Sequence, residues 1–445
     1  MLSPIYVSLL LIVSILTIIL LSSRYKFNTF FVLIFVAMGV GFAAGMEGEA
    51  LLKAIKVGFG STLEKIGLLI ILGATLGIIL DKTNATLSLA NFILNKTGER
   101  YAPLAITLVG ILIGLPIFCD SGFVVLSGLV VSLGHTLPKK RLALVGCLAT
   151  SLYAVHCLVP PHPGITAAAG VLNVDLGIAL LLGILVAVAG AWVGDVYWVS
   201  VGAAFDGVEQ TATEKLPIKD VDLPSPALSF LPIIVPIALI SLKSVVLLYP
   251  DMALPFVLNL IKFVGEPITA LIAGLGLTLP LFRKIEKEKL NQLFDEAIEK
   301  AGPILIVTAA GGAFGEIIRT LELGKVYGAA LAAGGWGLLV PFGLAAIFKT
   351  AQGSSTVAVV STASLVAPLL AALGLAGPDG ALLALLAMGA GSMVTSHAND
   401  SYFWVISRFG NLNVSVTLRA FTPASALMGG TALLVIYVMK WLMGM

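Results

Sequence analysis

Apolar runs long enough to cross a bilayer recur along the whole chain. They cover residues 4–21, 28–45, 66–80, 142–170 and 176–200. After a polar stretch at 203–226 come 228–248, 255–281, 301–318, 380–405 and 420–441. Each series of five carries an extra apolar segment between its third and fourth runs, 103–134 in the first and 329–372 in the second. Polar or glycine-rich sequence breaks both extra segments in the middle. The arms of the first are about 14 residues, or about 21 Å of helix, short of a hydrocarbon core of roughly 30 Å. A re-entrant hairpin is therefore predicted there, and by position a second one at 329–372. The same order thus occurs twice: three spans, a hairpin, a span interrupted by polar residues, and a last span. "GATLGII" at Gly73 resembles "GGAFGEI" at Gly311, and "PIFCDSG" at Pro116 holds the place of "AIFKTAQG" at Ala346. Five crossings per half is an odd number, so the halves are expected to be inverted relative to each other. The predicted fold is an all-α polytopic membrane protein of two inverted-topology repeats, each with a re-entrant hairpin and a broken transmembrane helix. The repeats are residues 1–202 and 228–445, joined by a cytoplasmic linker at 203–227.

Composition agrees with this pattern. Of 445 residues 58% are hydrophobic and 11% charged, where a soluble domain carries roughly 25% charged residues. A net charge of +2 gives no ground for a nucleic-acid partner. Cys119, Cys147 and Cys157 lie in apolar sequence without metal-ligand spacing, so neither a disulfide framework, a metal site nor a cofactor is indicated. Run 4–21 has no basic residue before it and no small-residue cleavage site after it, and reads as a first transmembrane helix rather than a signal peptide. With both termini outside, the predicted cytoplasmic loops hold 17 basic residues and the outer loops six. That asymmetry favours this orientation.

Four polar breaks interrupt the apolar sequence, two per half: "FCDSGF" at Phe118, "HCLVPPHPG" at His156, "KTAQGSST" at Lys349 and "SHANDS" at Ser396. Interrupted segments at matching positions of two inverted halves are the sequence mark of a transporter site. A broken helix leaves free N–H groups at a half-helix end, and these attract an anion. The candidate substrate-binding residues are Asp120, Ser121, Gly122, His162, Lys349, Gln352, Gly353, Ser354, Ser355, Thr356, His397 and Asn399. Lys349 is a candidate counter-charge for an acidic substrate, and the hydroxyls can cap a helix or donate to a carboxylate or polyol. The proton-coupling candidates are Asp400 first, then Asp120 and His156, because intramembrane ionisable groups default to function. Plainer roles stand beside these. Asp120 and Asp400 can be helix caps, and His156 a satisfied core histidine. Ser361, Thr362, Ser364, Gly73, Gly311 and the "GAGS" at Gly389 suit packing, and Glu316 suits a structural pair with Arg319.

"LPIFCDSGFVVL", "VHCLVPPHPGITAAAG", "TAQGSSTVAVVSTA", "LVAPLL" and "GAGSMVTSHANDSYFW" together resemble, in order, the signature segments of the gluconate permease family. The resemblance covers essentially the whole chain. It implies inner-membrane, proton-coupled uptake of gluconate or a close hydroxy acid, on a fold of inverted hairpin repeats. The family's motif residues fall on Asp120, His156, His162, Gln352, Gly353, Ser354, Thr356, His397, Asn399 and Asp400. Cys119, Ser121, Lys349 and Tyr402 depart from the residues usual at those positions, which leaves the substrate open among gluconate, D-serine, glycerate and other small hydroxy acids. Sodium coupling is a rival to proton coupling. An intramembrane enzyme is disfavoured by the missing nucleophile motif, a channel by the paired site, and primary transport by the absence of a phosphate-binding loop. The expected partners are a small carboxylate, protons and the lipid bilayer, and a homodimer is compatible with the class.

Overall fold

The computed structural model describes residues 4–21, 25–98, 101–137, 141–202, 223–248, 254–284, 287–321, 336–397 and 400–445. Among them there are helices and turns and no strand. In the first half α1 (Pro4–Ile19), α2 (Thr29–Ala43), α3 (Gly48–Lys82) and α4 (Ala85–Thr97) precede a helix pair, α5 (Ala102–Gly114) and α6 (Cys119–Thr136). The pair α7 (Arg141–Leu158) and α8 (Pro163–Leu172) follows, and then α9 (Leu176–Gly202). The second half runs through α10 (Pro226–Leu248), α11 (Pro255–Val264), α12 (Pro267–Leu277) and α13 (Lys287–Thr320). It ends with the pair α14 (Leu339–Gln352) and α15 (Ser355–Val366), then α16 (Gly377–Gly391), α17 (Ser401–Phe409) and α18 (Val414–Leu442). Among the described residues six helices are long and apolar enough to cross a membrane, with the broken α7–α8 segment counted as one of them, and seven if the bent α11–α12 pair is one span. The chain is a multi-pass membrane protein. Most of the linker expected at 203–227 lies outside the described residues, as do residues 322–335.

Both expected hairpin segments are broken where the polar residues stand: α5 and α6 are separated at 115–118, α14 and α15 at 353–354. The two interrupted spans are broken as well, at 159–162 and 392–400. Three elements differ from the expectation. The run at 66–80 is the end of a 35-residue helix that starts at Gly48. Lys53, Lys56, Glu64 and Lys65 interrupt its hydropathy, but they lie on an exposed face and leave the helical period intact. Its counterpart α13 likewise reaches back from 301 to Lys287, making 34 residues. The run at 255–281 is two helices bent by 68° at Gly265–Glu266. The Pro267 ring disfavours helical backbone at Glu266, and Lys243 pairs with Glu266 at 2.5 Å.

The long helices α3 and α13 cross antiparallel and hold the halves together. A Cβ on Gly58 would lie 2.5 Å from the Gly312 carbonyl oxygen, so the backbones touch where both helices lack side chains. At the other end of the crossing Lys82 pairs with Glu296 at 3.1 Å. The largest apolar core lies around α5, α7, α9, α16 and α18, with α7 buried on nearly every side.

Candidate functional site

Each break is set by local chemistry. Gly353 ends α14 in the left-handed region at φ +83°, which only glycine adopts without strain, and its N–H donates to Lys349 O at 2.8 Å. Ser354 then caps α15, accepting from Val357 N at 3.3 Å. Asp400 caps α17 in the same way, accepting from Tyr402 N at 3.0 Å. Pro163 opens α8 at a position where its missing N–H costs nothing. Asp120 sits in the first turn of α6, where a negative charge meets the positive helix end.

These breaks meet around a cavity of about 360 Å³. Phe118, Cys119 and Asp120 line it from the first hairpin, and Tyr153 and His156 from α7. Gln352, Gly353, Ser354, Ser355 and Thr356 line it from the second hairpin, Asp400, Ser401 and Tyr402 from α17, and Ile304 from α13. Of the residues singled out in the sequence, Asp120, His156, Gln352–Thr356 and Asp400 therefore converge on one space contributed by both halves.

The polar atoms of this space fall into two groups. Asp400 is saturated: Oδ2 accepts from Lys349 Nζ and from Ser396 Oγ, each at 2.5 Å, while Oδ1 holds the α17 cap. Lys349 is fully buried just behind the lining, where its ammonium also donates to Gly353 O at 2.5 Å and lies 5.5 Å from the Tyr153 ring centroid. Tyr153 hydroxyl bonds Ser355 Oγ at 3.0 Å, and Tyr402 hydroxyl donates to Ala149 O at 2.9 Å. By contrast, Asp120 Oδ1, His156 Nδ1 and both amide atoms of Gln352 are buried with no hydrogen-bond partner. An unsatisfied buried polar atom costs about 1–3 kcal/mol. Four of them around one cavity form a set that a hydroxylated ligand can satisfy.

Other sequence candidates lie elsewhere. His162 Nε2 donates to Gly114 O at 2.5 Å, fastening the α7–α8 break to the end of α5 outside the main cavity. Gly122 packs against Leu152, and neither it nor Ser121 lines the cavity. His397 Nε2 donates to Thr350 O at 3.0 Å, linking the last break to α14. Asn399 lies outside the described residues. Lys349 stands behind the lining rather than in it. Ser364 donates to Gly311 O at 2.8 Å and Glu316 pairs with Arg319 at 3.2 Å, both structural contacts as expected. Asp195 accepts from Thr107 and, at 3.1 Å, from Thr150, away from the cavity. Tyr153 and Ile304 were not singled out in the sequence. Tyr153 lies three residues before His156 on α7, so helical spacing from a known candidate was its signal, whereas Ile304 had none.

The chain is 30% identical to a gluconate permease of Pseudomonas aeruginosa over 98% of both chains. It is 30% identical to the Gnt-II system L-idonate transporter of Escherichia coli over 92% of this chain and 93% of that one. The fold is similar to that of the YdaH transporter of Alcanivorax borkumensis, with a TM-score of 0.56 at 18% identity over 89% of this chain and 90% of that one. The model of the GntP family permeases matches residues 6–442, and the chain belongs to that family.

Proposed function

We propose that this permease is a proton-coupled symporter that carries gluconate or a closely related sugar acid across the cytoplasmic membrane into the cell. The observation that carries the reading is the buried Lys349–Asp400 pair beside a cavity where Asp120 Oδ1, His156 Nδ1 and the Gln352 amide lack partners. A sugar acid supplies one carboxylate for Lys349 and a row of hydroxyls for Gln352, Thr356, His156 and Asp120. Relatives named for gluconate and for L-idonate support that class.

Charge balance gives the coupling rule. The empty pair is neutral. Substrate alone adds a buried negative charge beside Asp400, and a proton alone leaves Lys349 an uncompensated buried cation. Either state is costly away from water, because breaking one side of a buried pair costs about 3–5 kcal/mol. With a proton on Asp400 and the substrate carboxylate on Lys349 the site is neutral again. The carrier therefore changes face empty or fully loaded, and the two solutes move together. A second reading has Asp120 carry the proton, favoured by its unpartnered Oδ1 in the cavity wall. The halves act as inverted repeats with both termini outside, a reading supported by the repeated order of elements and the excess of basic residues on the cytoplasmic side.

Counterflow of labelled gluconate into proteoliposomes, with L-idonate, glycerate and D-serine as competitors, tests the substrate class. Proton influx stoichiometric with uptake is the expected signature. Uptake driven equally well without a pH gradient or membrane potential, but dependent on sodium, would reject the proton.

A further inference from the structure

A second polar cavity of about 60 Å³ lies between α3, α8, α13 and the end of α15. Lys65 and Arg319 line it, with Glu316 and the hydroxyl of Ser61. Lys65 Nζ donates to Asn173 Oδ1 at 2.7 Å and to Gly170 O at 3.3 Å, and pairs with no carboxylate among the described residues. Glu316 is engaged by Arg319, so two cations and one carboxylate leave the cavity net positive. An anion is the ligand such a lining attracts.

The position of this cavity relative to the main one gives it a purpose. Helix α8 passes both: Gly164 packs against Thr356 at the main cavity, and Gly170 against Ile66 at the second. Six residues of helix separate those levels by about 9 Å. The gap is filled by a small apolar cluster distinct from the main core, in which buried Ile66, Ile70 and Val360 pack with Phe118 and Ile304. Ile66 lines the second cavity, and Phe118 and Ile304 line the first. The cluster thus borders both cavities, and its side chains are all apolar.

We propose that the second cavity is the outer vestibule of the permeation path, where Lys65 and Arg319 collect the substrate carboxylate, and that this apolar cluster is the closed gate between vestibule and binding cavity. The volume suits a carboxylate group rather than a whole six-carbon acid, so the vestibule recruits and does not store. The sidedness rests on the orientation proposed above, in which α8 and α13 end at the outer face.

The test uses intact cells and membrane-impermeant methanethiosulfonates of either charge. The native Cys119, Cys147 and Cys157 are buried, so the unmodified chain is the background. The Ser61→Cys thiol is expected to react from outside, several-fold faster with the anionic reagent than with the cationic one. Lys65→Gln with Arg319→Gln should erase that preference, and Lys53→Gln, on the exposed face of α3 beyond the cavity, should leave it intact. Val360→Ala should thin the gate and speed modification of Cys119, which lines the main cavity. A charge preference unchanged in the double variant overturns the vestibule, and a Cys119 rate unchanged by Val360→Ala overturns the gate. Anion-preferring reaction of Ser61→Cys only in inside-out vesicles overturns the outer assignment, and with it the orientation, while the sugar-acid reading is judged separately by counterflow.

Discussion

Replacing Asp400 with Asn is the most direct challenge to the coupling rule. The substitution keeps the size of the side chain and removes its charge. Asparagine can still accept the Tyr402 N–H that caps α17, so local structure is retained. What it cannot do is neutralise Lys349, whose ammonium lies 2.5 Å from Asp400 Oδ2 in a fully buried place. Stranding one member of a buried pair costs about 3–5 kcal/mol in the empty protein. A bound carboxylate restores the missing charge, so much of that cost returns as binding free energy. Only part of the cost is recovered, because the substrate must itself be desolvated, and about 1.5–3 kcal/mol, or about tenfold to 150-fold tighter binding, is the expected range.

The pH dependence carries the sharper signature. Under the proposed coupling rule a proton is taken up together with the substrate, so the affinity of the native protein should fall as pH rises, by up to about 1.4 kcal/mol per unit. In Asp400→Asn the proton is permanently mimicked, and the affinity should be flat with pH. Isothermal titration of detergent-solubilised protein with gluconate at several pH values reads both effects. Proteoliposomes should show exchange retained and accumulation lost. A variant that keeps the native pH slope, or still concentrates gluconate with proton influx, would refute the rule for Asp400, and the same pair of assays would then be applied to Asp120→Asn.

Two further outcomes follow from the geometry. Gln352→Ala or Thr356→Ala should weaken gluconate binding by about 1–3 kcal/mol, whereas Ser364→Ala, which loses contacts to the Gly311 and Val360 carbonyls away from the main cavity, should leave the affinity alone; equal losses in titration would mean that general packing is being read instead of a site. For topology, Asn95→Cys should label from the cytoplasm and Leu254→Cys from outside with impermeant maleimides, and labelling of both from one side would end the inverted-repeat reading.

The breaks were legible because their chemistry is out of place in hydrocarbon: Asp120, Lys349, Asp400 and the prolines at 160–163 have no use in a lipid-facing helix. The lengths of α3 and α13 were not, since hydropathy averages over all faces of a helix and the charged stripe of Lys53, Lys56, Glu64 and Lys65 cancels the apolar one. The bend at Glu266–Pro267 was written in the sequence, but its apolar flanks masked it. Rotation about each helix was the harder loss. Sequence places His156 and His162 in one break, yet only the packed structure shows His156 facing the cavity and His162 tied to Gly114. Likewise, hydropathy marks Lys349 as buried and cannot tell that its charge is already taken by Asp400.

The two halves bring unequal chemistry to the shared cavity, and on the proposed function that inequality would orient the substrate. Among the described residues the second half alone supplies a buried ammonium beside the cavity, so the proposed function puts the carboxylate on the α14–α17 side. The first half supplies Asp120 Oδ1 and His156 Nδ1, which are unpartnered and fit hydroxyls. A six-carbon acid anchored at Lys349 extends its hydroxyls toward them. Glycerate, with the same carboxylate and only two hydroxyls, leaves those atoms orphaned, and each unsatisfied polar atom costs about 1–3 kcal/mol. Gluconate should therefore bind more tightly than glycerate by about that amount for each first-half contact it makes. His156→Ala separates this account from a simple size effect: it should weaken gluconate and leave glycerate unchanged, because only the longer acid reaches the ring. Equal weakening of both acids in competition against labelled gluconate would show that His156 shapes the cavity instead of touching the substrate, and the proposed direction of the bound chain would have to be reversed.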